Sequence, residues 1–257
     1  MLADEQIMRQ RPLAAVAAQF FFPQRHCLIC GETSGKPGLC AACAADAAAL
    51  PCCEICAAFM QTPGLCGDCQ VSPPLFTRAR AAAPYAGQLR DSLRAFKYME
   101  KTWLRRPLAA LLAQTYEHHY RDLPFTAVTP APLAPQRQKE RGYNQSEMLS
   151  KLLAAEFGLR HQPALLKRTL DTPPLASYDG QHRRALLNQA FTAAAAEAKG
   201  QTVLLVDDIY TSGATLNACT ETLLCAGAQA VYGLTVAAYD TRGQKTEDRR
   251  QKIEAGR

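Results

Sequence analysis

The chain has 257 residues, of which 48% are hydrophobic, and a formal net charge of +6 at neutral pH. This length accommodates an ordinary hydrophobic core together with a small metal-dependent module. The charge suits an anionic ligand or nucleic acid, but it is too weak to establish either class of partner. The longest apolar run near the N-terminus, residues 14–22, is too short to span a bilayer. With no recognisable leader, we expect a cytoplasmic protein without membrane insertion.

The N-terminal residues 1–24 are predicted to form a separate helix. Leu13, Val16, Ala17 and Phe20 recur with the i, i+3, i+4, i+7 spacing of one helix face. We expect this apolar face to pack on the rest of the protein.

Cysteines dominate residues 25–72, where nine of the eleven in the chain occur. Eight of them form two blocks of identical spacing, Cys-x2-Cys-x9-Cys-x2-Cys, with the second block displaced by 26 residues. The first block is Cys27, Cys30, Cys40 and Cys43, and the second is Cys53, Cys56, Cys66 and Cys69. Each Cys-x2-Cys pair directs two sulfurs at one ion, and four thiolates suit tetrahedral Zn²⁺. We predict a double zinc ribbon that holds structural Zn²⁺.

The cysteine spacing leaves the assignment of individual ligands open. Pairs from different blocks could share one ion, His26 could replace a cysteine, and Cys52 could serve as a spare ligand. A disulfide framework is the alternative to metal binding, although a cytoplasmic protein keeps its thiols reduced.

Beyond the Pro73-Pro74 step, residues 79–240 alternate between strand and helix patterns. The predicted strands are 79–85, 126–129, 203–206 and 230–238, and the predicted helices are 87–96, 104–117, 144–156 and 216–226. This order indicates an α/β domain with a parallel sheet and helices on both faces. The mixed-charge stretch 241–257 is predicted to be a frayed, flexible tail.

The segment 203–215 carries the strongest functional signal in the chain. A buried strand leads to two adjacent carboxylates, Asp207 and Asp208, and a hydroxyl-rich loop then enters a helix. A helix N-terminus attracts anions because its backbone N–H groups lack partners and its dipole is positive there. Gly213 allows close approach of a phosphate, while the carboxylates can accept hydrogen bonds from sugar hydroxyls. The alternative is an ordinary strand–turn–helix in which an aspartate caps the helix.

A basic segment follows the predicted strand 126–129. Arg137, Lys139 and Arg141 are predicted to lie on a loop, where they could neutralise a pyrophosphate group. Mg²⁺ is the expected cofactor for such a ligand, because it binds phosphate oxygens while keeping several waters. A solvated basic loop without a ligand is the alternative.

The 203–215 segment resembles the phosphoribosyl pyrophosphate (PRPP) motif of type I phosphoribosyltransferases. The resemblance implies that Asp207 and Asp208 hold the ribose 2′- and 3′-hydroxyls. It also implies a 5′-phosphate loop that consists of Thr211, Ser212, Gly213, Ala214 and Thr215.

The order of motifs along the whole chain resembles the ComF/GntX family of phosphoribosyltransferase-like proteins. After the cysteine blocks come Leu93-x-x-Phe-Lys-Tyr98, Pro130-x-Pro132, Arg141-Gly-Tyr-Asn-Gln145 and the PRPP motif. The resemblance implies pyrophosphate contacts from Lys97, Arg137 and Arg141, and a catalytic set of Asp207, Asp208 and Arg141. It also implies a role in natural competence, in which single-stranded DNA and the DNA-uptake machinery are partners.

One region departs from the pattern of that family. Leu175 and Leu186 stand where the family usually has glutamine and asparagine, although Thr172, Arg183 and Ala190-Phe191 match it. If this segment forms a flap over PRPP, we expect the loss of two polar side chains to weaken catalysis more than binding.

Two classes of function follow from these motifs. One is a PRPP-binding protein that handles single-stranded DNA, and the other is an active phosphoribosyltransferase that releases pyrophosphate. The cysteine blocks are poor in basic and aromatic residues, so we expect a DNA surface elsewhere. Its basic candidates are Arg78, Arg80, Arg90, Arg94, Lys97, Lys101, Arg105 and Arg106. A solvated basic helix face is the alternative for this set.

Overall fold

The computed structural model describes residues 26–35, 37–170 and 190–240. The predicted N-terminal helix 1–24 and the predicted tail 241–257 lie outside the described residues. The same holds for four positions of the proposed flap, namely Thr172, Leu175, Arg183 and Leu186.

The cysteine-rich region contains two short helices that the sequence analysis did not predict. Helix α1 spans Ala41–Ala49 and helix α2 spans Gly67–Val71. Each begins directly after the third cysteine of its block, because Cys40 and Cys66 occupy the two N-cap positions. The repeat in sequence is therefore a repeat in structure, with a cysteine knuckle followed by a short helix, although only Cys40 caps its helix through its side chain.

Within the described residues, six strands form two sheets. They are β1 (Arg78–Pro84), β2 (Ala127–Pro130), β3 (Leu166–Arg168), β4 (Phe191–Ala193), β5 (Thr202–Tyr210) and β6 (Ala230–Ala238). The main sheet is parallel throughout, with the order β1-β6-β5-β2, and a small antiparallel pair joins β3 to β4. The parallel sheet confirms the predicted fold class.

Helices cover the sheet on both faces. They are α3 (Gly87–Tyr98), α4 (Arg105–His119), α5 (Pro135–Arg141), α6 (Gln145–Phe157), α7 (Ala195–Ala198) and α8 (Ala214–Cys225), with a 3₁₀ turn at Thr102–Leu104. Alternate residues of β5 point to opposite faces, as a strand requires. Leu204 and Val206 join one buried cluster with α3, α4 and α6, while Val203 and Leu205 join a second cluster with α8.

Two elements near the predicted site differ from expectation. Strand β5 continues through Asp207 to Tyr210, whereas the sequence analysis ended it at Val206, because β6 supplies parallel partners as far as Ala238. The predicted basic loop is instead the helix α5. Pro135 fits the first helical turn, and Gly142 ends the helix with a φ of 76°.

Candidate functional site

The two aspartates lie where β5 approaches the carboxyl edge of the sheet, and both are already engaged by neighbours. The Ser146 hydroxyl and the Asp208 backbone N–H each donate to Oδ1 of Asp207 at 2.8 Å. Lys97, at the end of α3, places its Nζ 2.8 Å from Oδ1 of Asp208. Among the contacts described for this part of the chain, none uses the Oδ2 atom of either carboxylate. The pair can therefore be held rigidly and still accept further hydrogen bonds.

Burial and mutual repulsion dominate the electrostatics of this pair. Burial raises the pKa of Asp207 to about 6, and the Asp208 charge adds to the effect, while Lys97 and Ser146 act in the opposite direction. For Lys97, burial lowers the pKa, but Asp208 and Asp207 outweigh it and raise the pKa above its ordinary value. Lys97 therefore stays charged beside the two carboxylates.

The loop 211–215 follows β5 and leads directly into α8. Gly213 is the N-cap of α8, with a φ of 71° in the left-handed region and no side-chain cap. The alternative in which an aspartate caps this helix is therefore wrong, and the first N–H groups of α8 remain for an anion. A small pocket that is partly open to solvent lies here, and its lining includes Asp207, Thr211, Gly213 and Thr215.

The predicted basic residues occupy different environments. Lys97 lies against Asp208, as described above. The Arg141 guanidinium stacks over the exposed ring of Tyr98, 5.1 Å from its centroid, which places it at the same end of α3. Arg137 and Lys139 are exposed on α5.

The segment between α5 and α6 contains residues to which the sequence analysis assigned no individual role, although Tyr143 and Asn144 belong to the motif at 141–145. Asn144 caps α6 by accepting from the Ser146 N–H, and its amide donates to the Ala131 carbonyl at 3.0 Å. The Tyr143 hydroxyl donates to the Phe96 carbonyl beside Lys97. These contacts fix the turn after β2 and the end of α3 around the carboxylates. The sequence analysis placed Asn144 as the first residue of the helix 144–156, where an asparagine is a recognisable capping signal, whereas Ser146 inside the helix carried no signal.

The two cysteine blocks form two separate sulfur clusters. Within each block the four Sγ atoms all lie within 4.8 Å of one another, so ligands are not exchanged between blocks. Sγ separations of 3.8 Å for Cys30–Cys40 and 3.6 Å for Cys56–Cys66 fit a ZnS₄ tetrahedron. Its edges are about 3.8 Å when the Zn–S bonds are ~2.3 Å.

The sulfur clusters also carry the hydrogen bonds that thiolates need. Backbone N–H groups donate to the sulfurs of Cys27, Cys40 and Cys53 at 3.4–3.5 Å. Burial raises the pKa of Cys27, but backbone N–H groups of Cys40, Cys30 and Ile29 lower it to about 7. All cysteines in the described residues are free thiols, and neither His26 nor Cys52 belongs to a cluster. The described cysteines therefore form no disulfides, and His26 and Cys52 are not metal ligands in either cluster.

Comparisons with known proteins agree with this picture. The family model of the double zinc ribbon domain matches residues 17–70, and that of the phosphoribosyl transferase domain matches residues 166–255. "Competence protein F" of Haemophilus influenzae is 31% identical over 211 residues, which are 79% of this chain and 92% of that relative. The chain belongs to the ComF family.

Other relatives of this ComF-family chain have related names. "Competence protein ComFC" of Bacillus subtilis is 27% identical, with coverage of 58% of this chain and 59% of the relative. "DNA utilization protein YhgH" of Escherichia coli K12 is 28% identical, with coverage of 80% and 86%.

Solved structures with some likeness include phosphoribosyltransferases. One adenine phosphoribosyltransferase has a TM-score of 0.36 and 13% identity, with coverage of 55% of this chain and 82% of that one. An allosteric regulatory enzyme of purine biosynthesis has a TM-score of 0.37 and 18% identity, but the match spans 26% of its length.

No helix among the described residues is both long and apolar enough to cross a membrane.

Proposed function

We propose that this ComF-family protein binds PRPP together with Mg²⁺ at the carboxyl edge of β5, and that it acts in the handling of single-stranded DNA during natural competence. The observation that carries the first part is the juxtaposition of two positioned carboxylates with an uncapped helix N-terminus. The names of the relatives support the second part.

The 5′-phosphate fits the loop 211–215. The Gly213 conformation turns the chain so that the first N–H groups of α8 face the loop, where the helix dipole favours an anion. The hydroxyls of Thr211, Ser212 and Thr215 add donors, and all three residues keep solvent access. A phosphate bound here needs no lysine from the loop itself.

The ribose hydroxyls are assigned to Asp207 and Asp208. Their Oδ1 atoms are occupied by Ser146 and Lys97, so the Oδ2 atoms are the acceptors for the two hydroxyls. Lys97 offsets the repulsion between the carboxylates before the sugar arrives. The site is therefore organised before ligand binding, which lowers the entropic cost of binding.

The pyrophosphate group is assigned to Lys97, Arg141 and Arg137. Lys97 already contacts Asp208, and Arg141 stacks over Tyr98, so both cations lie at the end of α3. Mg²⁺ would neutralise the pyrophosphate oxygens and orient them. With both Oδ1 atoms engaged, the protein offers few carboxylate oxygens to the ion, so the ligand itself would hold most of it.

An active phosphoribosyltransferase is the second candidate, and the same site favours it. In that reaction positive charge develops on the ribose ring, and Asp207 and Asp208 would stabilise it while Arg141 holds the departing pyrophosphate. Release of pyrophosphate from PRPP, measured with candidate amines or bases, separates turnover from binding alone.

Fewer of the predicted basic side chains are available to contact DNA than the sequence suggested. Arg78 donates to the His119 carbonyl and stacks on Tyr120, and Arg80 donates to the Glu54 carbonyl. These two arginines serve the fold, whereas Arg90 and Arg94 are exposed on α3. A DNA surface would therefore centre on α3, close to the exposed Tyr98 ring, on which a base could stack.

The test is a calorimetric titration of Mg²⁺ and PRPP into the wild type and an Asp207→Asn/Asp208→Asn variant. We expect micromolar binding by the wild type, reduced at least about 100-fold in the variant because both hydroxyl acceptors are weakened. An Asp46→Asn/Asp122→Asn variant makes the same charge change at exposed positions and should bind like the wild type. Equal losses in both variants would show a general charge effect and contradict the assignment.

A further inference from the structure

The second ribbon, defined here as residues 52–72, packs on the beginning of β1 and also reaches the end of β6, which lies beside the proposed site. The Ala79 N–H donates to the Ile55 carbonyl at 2.7 Å, and Arg80 donates to the Glu54 carbonyl at 3.0 Å. The Phe59 N–H donates to the Tyr239 carbonyl at 3.2 Å, just beyond the end of β6. The ribbon is thus joined by backbone hydrogen bonds to both β1 and the end of β6.

Tyr210, the last residue of β5, lies between this ribbon and the phosphate loop. Its carbonyl accepts from the Tyr239 N–H at 3.1 Å, and its ring meets Phe76 edge-on with 6.4 Å between centroids. Its hydroxyl faces the sulfur of Cys56, and its side chain packs against the buried cluster that contains Cys53, Cys56 and Cys69. One side chain therefore touches the metal-ligand shell of the second ribbon.

The same ring touches the phosphate loop. A Cβ built on Gly213 would lie 2.8 Å from Cζ and 2.9 Å from Cε2 of Tyr210, closer than real Cβ contacts. The ring of Tyr210 thus lies directly against the backbone turn that presents the first N–H groups of α8. Moving Tyr210 would remove the surface on which Gly213 rests.

The first ribbon, defined as residues 26–50, has no comparable contact among the described residues. Its Gly38 lies against α4, where a built Cβ would be 3.3 Å from Cβ of Ala110. Leu28 and Leu39 join the buried cluster that contains Leu108 of α4. This ribbon packs on the opposite face of the sheet from α8 and the loop.

We infer that the second zinc centre positions the phosphate loop through Tyr210, so that metal occupancy at Cys53, Cys56, Cys66 and Cys69 controls the affinity of the loop for the 5′-phosphate of PRPP. With zinc bound, the Cys56 thiolate would be an acceptor for the Tyr210 hydroxyl, and the ordered cysteine cluster would hold the ring against Gly213. Without the ion the thiolates are no longer held together, and the ring loses its anchor. Tyr210 is a positioning residue, and the statement about affinity rests on the proposed function.

The chain offers a matched pair of variants for the test, because Cys30 and Cys56 occupy equivalent positions in the two blocks. Cys56→Ser, Cys30→Ser and Tyr210→Phe are compared with the wild type by zinc content, by amide hydrogen exchange of residues 211–215, and by PRPP titration with Mg²⁺. We expect faster loop exchange, by about ten-fold, in Cys56→Ser and Tyr210→Phe only. PRPP affinity should fall by about ten-fold in the same two variants and stay within about two-fold in Cys30→Ser.

The three readouts separate the possible failures. Equal loop exchange in Cys30→Ser and Cys56→Ser, or unchanged exchange in Tyr210→Phe, would overturn the coupling. Faster exchange without PRPP binding by the wild type would support the coupling and refute the proposed function. If Cys56→Ser does not fold, Tyr210→Phe decides, since it keeps the ring contact with Phe76 and both cysteine blocks.

Discussion

The two ribbons of this protein have the same cysteine spacing but different neighbours. The first packs on α4 and adds to the buried cluster around Leu108. The second packs on β1 and the end of β6, and its cysteines belong to the buried cluster against which Tyr210 packs beside the phosphate loop. Two copies of one metal-binding unit can thus serve different purposes, since a zinc ribbon is a rigid surface whose role depends on what it contacts.

Zinc removal should have the largest effect on stability, and it should affect both ribbons. Structural zinc contributes about 10–16 kcal/mol to small modules of this kind, so a strong chelator should unfold both ribbons. We expect about two equivalents of zinc to be released per chain, because each block can form one ZnS₄ site. Colorimetric zinc release, followed together with thermal unfolding, measures this.

Re-addition of Zn²⁺ is the control for zinc removal, and it should restore the melting temperature. A protein that releases no zinc and melts unchanged in chelator would show that the blocks are not metal sites.

Gly213→Ala should have a smaller effect, because it alters the phosphate loop beside the second ribbon and leaves the first ribbon unchanged. The residue combines a φ of 71° with the close Tyr210 ring, so alanine adds a steric clash to backbone strain. We expect a loss of about 2–3 kcal/mol in unfolding free energy and weaker PRPP binding. Chemical denaturation and calorimetry provide the two measurements.

Gly158→Ala is the matched control for backbone strain. Gly158 has a φ of 65° at the end of α6 and nothing within 4 Å of a built Cβ. Gly158→Ala should lower the unfolding free energy by only about 1 kcal/mol and leave PRPP binding unchanged. If both substitutions lowered the unfolding free energy equally, the Tyr210 ring would have moved aside, and it would not constrain the loop.

The pH dependence of Asp207 should give the smallest effect and is independent of the ribbons. Its pKa of about 6 in the folded protein is above that of an unfolded aspartate, so the folded form binds the proton more tightly. The resulting stabilisation is present at low pH and is lost as pH rises through about 6. The wild type should therefore lose about 1 kcal/mol relative to Asp207→Asn between about pH 5 and pH 7.5.

Urea denaturation at the two pH values measures this difference. Loss of zinc at low pH affects both proteins alike and cancels in the comparison. A constant difference between the two proteins would show that Asp207 does not titrate in this range.

Much of the fold follows from local sequence patterns. The predicted strand 230–238 matches β6 residue for residue, and the predicted helices agree with α3, α4, α6 and α8 to within two residues at each end. These elements have strong apolar periodicity or clear stop signals, which are local properties. The cysteine blocks were equally readable, because metal-ligand spacing is local as well.

The features that were missed depend on partners distant in sequence. Strand β5 extends to Tyr210 because β6 pairs with it, and Ser146 reaches Asp207 across 61 positions of sequence. The packing of Tyr210 against the cluster that contains Cys56 likewise depends on how the second ribbon docks. Helix α5 is a different case, because Pro135 and Gly142 are local signals for the start and end of a helix. The basic residues between them were nevertheless interpreted as a loop.

Hydrogen exchange of the wild type, with and without saturating PRPP and Mg²⁺, tests the central claim most directly. We predict slower exchange in peptides that contain residues 207–216 and the end of α3 near Lys97. We predict no change in the first ribbon, residues 26–50. Protection elsewhere in the chain, or none at all in a folded protein that holds its zinc, would contradict a PRPP site at Asp207 and Asp208.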